Sequence, residues 1–438
     1  MSDIFCPLPW IFQAIQNNGS IRVCCQMNVS KERGTLFKES NVPYSAATDS
    51  LQEARNAEFI KDVRKTMLEG KWHPSCGRCM NEENAGLSSK RLQERNKWNY
   101  DIEWAKSVTS LDGSIDTDKV KVIYYDLRFG NFCNLSCRMC GPEDSHMWYK
   151  DWVEIEKTNK IPDTLGEVTL TKNKKGRWTT DYYDWHLNPI FWKNIQENLH
   201  DIQYVYMAGG EPLLIERHYD FLEMCVQYGY SKNMILEYNT NLTTISDRAL
   251  SLWKEFKQVR IGASIDGIGK VLEYQRYPVK SSQIVENLLK IEQSSDVPIE
   301  AYISCTITTA NVYHIPDFLD WIISQNFTKI RRNPILSHHV CHKPFPLNIQ
   351  VLPKNIKEDI TNYYNNKLSY IKNIYSDKDY KSSKKICTSI LKYMNEKELE
   401  ERKYSYFVNW TRDLDKIRGQ NIVDIVPQYR EIFLENNE

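Results

Sequence analysis

The chain has 438 residues, 57 basic and 57 acidic side chains, 41% hydrophobic residues and twelve cysteines. A formal charge of zero excludes binding of long nucleic acids through bulk positive charge, and the ordinary apolar fraction excludes a wholly disordered chain. No run of about eighteen apolar residues is present to cross a membrane, and Met1-Ser2-Asp3-Ile4-Phe5-Cys6 lacks the basic and apolar regions of a signal peptide. The expectation is a soluble cytoplasmic protein, in which cysteines bind metal or react rather than form disulfides.

The elements follow in chain order. Segments 11–16 and 21–24 flank Asn18-Gly19, the pair that suits a type I′ hairpin turn. A helix is expected from Leu51 to Glu69, with Ser50 and Glu53 as a capping box, Gly70 past its end, and Ile60, Val63 and Met67 on one apolar face. From about 119 to 336 strand and helix patterns alternate. The strands fall at 120–128, 203–208, 234–238, 258–265, 299–306 and 328–333, with helical patterns at 213–227, 246–256, 281–293 and 314–325. Six such units predict an α/β architecture, a parallel sheet covered by helices and either open or curled into a partial barrel. The last hundred residues read as mostly helical.

An insertion at 143–200 separates the first two of these strands and is rich in aromatics, among them Trp148, Trp152, Trp178, Tyr182, Tyr183, Trp185 and Trp192. Lys172-Asn173-Lys174-Lys175-Gly176 reads as a hairpin tip. Two roles stay open for the insertion: aromatics packed on the barrel, or a lid that covers substrate.

The cysteines gather in two places. Cys133, Cys137 and Cys140 fall within eight residues directly after the first barrel strand. Three thiolates on one loop converge on a soft metal centre: a [4Fe–4S] cluster with one iron left open, or a zinc site borrowing a fourth ligand. Cys6, Cys24, Cys25, Cys76 and Cys79 occupy the first 79 residues. Cys225 and Cys387 sit in apolar helical patterns and read as core. His338-His339-Val340-Cys341-His342, just past the sixth strand, reads as a polar rim loop, with a metal site as the alternative.

C-x3-C-x2-C on the loop after strand one resembles the signature of the radical S-adenosylmethionine (SAM) superfamily. The likeness continues in Ala208-Gly209-Gly210-Glu211-Pro212 after strand two, which is similar to that family's GGEP turn. Glycines there let the backbone approach the methionine amino group, and Glu211 offsets its charge. Asn241 ends strand three, where the family often places a polar residue near the ribose. Ser264 and Asp266 end strand four, and Arg276 follows Ser264 by twelve residues. In relatives that mature sulfatases and peptides, a Ser and an Arg so placed contact the SAM ribose and carboxylate.

The resemblance implies a partial (β/α)6 TIM-like barrel over 118–340. It implies that a reduced cluster donates an electron to SAM, giving methionine and a 5′-deoxyadenosyl radical that removes a hydrogen from substrate. Gly209, Gly210, Glu211, Pro212, Asn241, Ser264, Asp266 and Arg276 are the cofactor-binding candidates.

Cys6, Cys24, Cys76 and Cys79 resemble the ligands of SPASM/Twitch modules, which carry auxiliary [4Fe–4S] clusters. This implies a small α+β module at 1–100 with a second cluster, ahead of the barrel rather than after it as in the family. Ala85 stands where a full SPASM module has another cysteine, so one auxiliary cluster is expected. Cys25 stays open as an alternative to Cys24, and zinc as an alternative to iron. Residues 341–438 form the helical C-terminal extension. The substrate is expected to be a peptide or protein, with a small molecule as the alternative, and a flavodoxin or ferredoxin is implied as electron donor. A non-catalytic iron–sulfur or zinc scaffold is the remaining reading.

Overall fold

The computed structural model describes residues 4–27, 33–84, 88–158, 168–330, 334–397 and 400–434. Its first five strands are β1 (Phe12–Ile15), β2 (Ile21–Arg22), β3 (Tyr124–Leu127), β4 (Thr171–Lys172) and β5 (Trp178–Thr179). The others are β6 (Tyr204–Met207), β7 (Ile235–Thr240), β8 (Gln258–Ser264), β9 (Ile299–Ile307) and β10 (Ser337–Val340). The chain divides into two compact units. The first comprises Met1–Gly130, Asp181–Glu237 and Glu255–Lys257; the second comprises Asn131–Thr180, Tyr238–Lys254 and Gln258–Glu438.

In the first unit the strand order is β2-β1-β3-β6. β1 pairs antiparallel with β2 and parallel with β3, with Phe12 opposite Tyr124 and Ile15 opposite Leu127. β3 then pairs parallel with β6. β1 and β3 are buried at every position, as strands covered on both faces must be. The N-terminal hairpin is thus part of the sheet. Its turn differs from the type I′ expectation: only Gly19 takes a positive φ, 81°. Asn18 Oδ1 instead accepts from the Ser20 N–H and hydroxyl at 3.1 and 2.8 Å, the local side-chain bonding that lets Asn shape a turn. Trp185 sets the glycine requirement, because a Cβ on Gly19 would meet its ring at 2.7 Å.

The helix expected over 51–69 is broken. A short 3-10 turn at Glu53–Asn56 precedes an α-helix at Glu58–Leu68. Ser50 Oγ does accept from the Glu53 N–H at 3.3 Å, but it caps the 3-10 turn rather than the α-helix. Arg55 and Arg64 explain the geometry. Both are buried and donate to backbone carbonyls, Arg55 to Val120 and Trp10 and Arg64 to Pro9, so the segment docks through guanidinium groups as well as its apolar face.

In the second unit the C-terminal half of β7 is followed by β8, β9 and β10, with parallel pairing from β8 to β10. From Glu300 onward β9 alternates between half-buried and buried residues, leaving Glu300, Tyr302, Ser304 and Thr306 on one polar face. Helices at Asp247–Trp253, Ser281–Gln293 and Ile315–Ser324 match the expected patterns. The sixth strand does not. Residue 330 makes one isolated bridge to Ala301, residues 331–333 lie outside the described residues, and β10 at Ser337–Val340 pairs with β9 instead. His338 and His339 are therefore strand residues rather than a rim loop.

The C-terminal region is helical, at Lys354–Ile374, Asp377–Asn395 and Glu401–Arg418. The last of these packs into the interior of its unit. Trp410 and Leu414 share a buried cluster with Trp148, Trp152 and Ile155. Among the described residues, no helix is long and apolar enough to cross a membrane.

Candidate functional site

The loop carrying Cys133, Cys137 and Cys140 has no regular structure, so its shape depends on bonds from outside. The Ser136 and Arg138 N–H groups donate to the carbonyls of Tyr277 and Gln275 at 2.7 and 2.8 Å. Ser145 Oγ donates to the Leu135 carbonyl at 2.5 Å, and the Trp148 indole N–H to that of Cys137 at 2.9 Å. With its backbone groups held this way, the loop keeps Cys133 and Cys137 buried and Cys140 half-buried.

N–H groups surround the sulfurs. Cys133 Sγ accepts from the Leu135 N–H at 3.5 Å and from Asn241 Nδ2 at 3.7 Å. Cys137 Sγ lies 3.9 Å from Arg276 Nη1. Hydrogen bonding to Cys140 lowers the Cys137 thiol below its ordinary range; burial opposes this and Arg276 reinforces it. Cys140 is raised as the donor of the same pair.

Asn241 is fixed by Asn134 and Thr243. Its Nδ2 donates to Asn134 Oδ1 at 3.0 Å, and its Oδ1 accepts from the Thr243 N–H at 2.9 Å. Ser264 is half-buried at the C-terminal end of β8. Asp266 is fully buried; Oδ1 accepts from the Thr306 N–H at 2.7 Å and Oδ2 lies 2.7 Å from Arg276 Nε. Burial works against the Arg276 cation, yet Asp266 and Cys137 hold its pKa above the ordinary value. One face of Arg276 is thus committed to Asp266, and the other lies beside a thiol.

In the first unit, Gly209 and Gly210 follow β6 with φ of 76° and 49°. A Cβ on Gly209 would come within 2.2 Å of Asn17 Oδ1 and 2.8 Å of Arg128 Cβ, so only glycine fits there. The N-terminal hairpin therefore backs directly onto the glycine turn. Glu211 is buried and accepts from the Leu213 N–H at 3.2 Å, capping the short turn Pro212–Leu214.

The four N-terminal cysteines come together. Cys6, Cys24, Cys76 and Cys79 line one small cavity of about 30 Å³. Its walls are mainly apolar, from Leu8, Met27, Met67 and Trp72, with Lys90 and Arg91 also lining it. Burial pushes the Cys6 and Cys79 thiols up, and the Cys76 thiol to about 12. Cys25 is not on the lining. Its hydrogen bond with Cys24 lowers its pKa to about 6, against burial and with help from Lys90. Ala85 lies outside the described residues. Among the described residues, no three His, Cys, Asp or Glu side chains are grouped to hold a single metal ion.

The donor sets suit an anionic cluster better than an acid–base pair: soft thiols, N–H donors aimed at sulfur, and cations close by. The sequence did not reveal the roles of Arg138, Trp148, Asp415 and Arg418: Trp148 donates to the loop at Cys137, Asp415 pairs with Arg138 on the loop, and Arg418 lies against the Trp148 ring. Arg138 is clamped by Asp415 and Gln420, and its guanidinium lies 3.6 Å from the Tyr274 ring centre. Arg418 donates to Asp151 at 2.8 Å. No local pattern marks these pairs, since 277 and 267 residues separate the partners.

The insertion 143–200 is mainly packing. Trp148, Trp152, Tyr183 and Trp185 are buried, while Tyr182 is 54% exposed. The expected hairpin is present as β4 and β5, with Lys172, Lys174, Lys175 and Arg177 exposed.

Residues 127–322 match the model of the Radical SAM superfamily. No curated protein matches the sequence. Among solved structures the chain is similar to anSMEcpe with bound AdoMet and Cp18Cys peptide, at 15% identity and a TM-score of 0.33, covering 56% of this chain and 58% of that one. It is also similar to Streptococcus suis SuiB bound to precursor peptide SuiA, at 12% identity and a TM-score of 0.33, covering 70% of this chain and 63% of that one. A more distant likeness is to TsrM from Kitasatospora setae, a radical S-adenosylmethionine methyltransferase, at 10% identity, a TM-score of 0.28, and coverage of 34% and 28%. The chain thus spans less than two thirds of the length of each of these proteins.

Proposed function

We propose, from the premise that residues 127–322 form a radical SAM superfamily domain, that this chain is an enzyme that reductively cleaves S-adenosylmethionine and removes a hydrogen atom from a peptide or protein. The observation that carries the reading is the three-cysteine loop, in which Cys133 accepts from two N–H donors and Cys137 lies beside a buried, charge-paired arginine. Cys133, Cys137 and Cys140 would hold a [4Fe–4S] cluster, which when bound supplies the electron for sulfonium cleavage. The chain's own residues do the rest. Gly209 and Gly210 free the backbone for close approach, Glu211 offsets an ammonium, and Asn241, Ser264, Asp266 and Arg276 bind and orient the cofactor's polar groups.

A second [4Fe–4S] cluster is assigned to Cys6, Cys24, Cys76 and Cys79. The shared cavity supports this, with Lys90 and Arg91 there to balance negative charge. A flavodoxin- or ferredoxin-type protein is the proposed electron donor. Anaerobic reconstitution tests the whole reading. About eight irons per chain and 5′-deoxyadenosine in the presence of reductant and SAM are expected. Zinc in the N-terminal cavity, or no 5′-deoxyadenosine from fully loaded protein, refutes the corresponding part. Cys76→Ala is expected to cleave SAM without forming product.

The exposed basic hairpin at Thr171–Thr179 supports a peptide substrate, since it offers four cations to an acidic segment. Burial of Trp148, Trp152 and Trp185 favours the small-molecule alternative, because these rings have no free face to clasp a chain. Deuterium transfer into 5′-deoxyadenosine from labelled peptides or from labelled metabolites decides between them.

A further inference from the structure

The C-terminal helix Glu401–Arg418 ends in a buried cation whose donors are only partly used. The Arg418 side chain is 1% exposed, and its Nε donates to Asp151 Oδ2 at 2.8 Å. Its Nη1 and Nη2 are buried and have no hydrogen-bond partner among the described residues. An ordinary structural arginine satisfies all its donors, because each one left unpaired out of water costs free energy. Burial, aided by Arg138, brings Arg418 down to about 10, so it stays a cation at neutral pH.

The surroundings of Arg418 identify what the charge faces. Its guanidinium lies 4.6 Å from the Trp148 ring centre and 5.2 Å from that of Tyr277. Both residues also hold the cysteine loop: Trp148 donates to the Cys137 carbonyl, and the Tyr277 carbonyl accepts from the Ser136 N–H. Arg418 is therefore one side chain removed from Cys137, across the Trp148 indole that donates to the Cys137 carbonyl. Arg276 meets the Cys137 sulfur itself at 3.9 Å.

We propose that Arg276 and Arg418 form a two-arginine cradle at Cys137 that raises the reduction potential of the cluster held by Cys133, Cys137 and Cys140, with Arg418 acting as a positioning residue from the C-terminal helix. This rests on the radical SAM reading. The step is one electron passed from an external low-potential donor to the cluster, which becomes more anionic by one unit; no proton or bond change is required. A fixed cation nearby favours the more anionic state. Asp151 sets the size of the effect, since its carboxylate offsets part of the Arg418 charge.

The test is a redox titration of the full-length reconstituted protein with dithionite, followed by electron paramagnetic resonance. The relevant cluster is the one whose signal changes when SAM is added, and the auxiliary cluster serves as an internal control. Arg418→Met is expected to lower the reduction equilibrium constant about tenfold, a shift of about 59 mV to more negative potential for one electron. Arg418→Lys recovers part of the shift, and Asp151→Asn moves the potential the opposite way. The auxiliary potential stays fixed in all three. Iron content and near-ultraviolet circular dichroism identify any variant that fails to fold. Unchanged potentials in loaded Arg418→Met and Asp151→Asn, or shifts of the same sign in both, overturn the cradle. If Arg418→Met does not load iron, the absence of a positive shift in Asp151→Asn overturns it alone. A wild-type protein with no SAM-responsive cluster instead defeats the functional reading on which the cradle rests.

Discussion

Replacing Asp415 by Ala isolates the energetic link between the C-terminal helix and the cysteine loop. The Asp415 carboxylate, 11% exposed, pairs with Arg138, which is 1% exposed. It also accepts from the Tyr274 hydroxyl and the Ile422 N–H, both at 2.7 Å. Its loss strands the buried Arg138 guanidinium with Gln420 and the Tyr274 carbonyl as its remaining side-chain bonds. Breaking a buried ion pair by removing one partner costs about 3–5 kcal/mol, and the two further hydrogen bonds overlap with that figure rather than adding to it. The expected loss is about 4 kcal/mol. For a unit of roughly 250 residues this lowers the melting temperature by about 10 °C. Near-ultraviolet circular dichroism of the stacked Trp148–Trp410 pair, with ring centres 6.0 Å apart, reports the transition. The double variant Arg138→Met/Asp415→Leu is expected to lose much less, since a buried pair replaced by apolar groups leaves no charge uncompensated. A loss below about 1 kcal/mol for Asp415→Ala, or a double variant no better than the single, would refute the reasoning.

Three further outcomes are expected. Cys24→Ala lowers the reconstituted iron content by about half, whereas Cys25→Ala, off the cavity lining, leaves it unchanged; equal losses would show that both thiols bind metal. Gly113→Ala destabilises the first unit by about 2–4 kcal/mol in urea unfolding, because Gly113 has φ of 89° and a Cβ there would meet the Lys61 carbonyl oxygen at 2.2 Å; a loss within error of zero contradicts this. His186 is held neutral by burial, with Arg217 adding to the effect, and its pKa falls to about 4. Its folded value lies below its unfolded one, so its stabilisation is present above pH 6.5 and fades as pH falls toward 4. Discounted for partial exposure the effect is about 1–2 kcal/mol, and His186→Gln should flatten unfolding free energy across that window; an unchanged slope sinks the assignment.

The sequence alone marks what depends on near neighbours. The Cys133–Cys140 spacing, the two glycines before Glu211, and helices such as Ser281–Gln293 are written in runs of a few residues, where φ requirements and apolar periodicity act locally. The grouping of Cys6, Cys24, Cys76 and Cys79 was legible from their spacing and from likeness to known modules. The Gly19-x4-Cys24 spacing favours Cys24 over Cys25 in the sequence itself, and the structure puts Cys24 but not Cys25 on the cavity lining.

Tertiary structure alone decided three other matters. β1 inserts parallel beside β3, which pairs with its backbone edge, while buried Gln13 within it donates to the Leu51 carbonyl at 2.7 Å. The tryptophans at 148 and 152 became core because the helix Glu401–Arg418 supplied Trp410 and Leu414 to bury them. Asp415 reached Arg138 on the cysteine loop, and Arg418 reached Asp151 on the helix that follows it, each across more than 260 residues of chain. Such pairs leave no local signature: either charge alone reads as an ordinary surface residue. Only when packing removes water from both does each require the other.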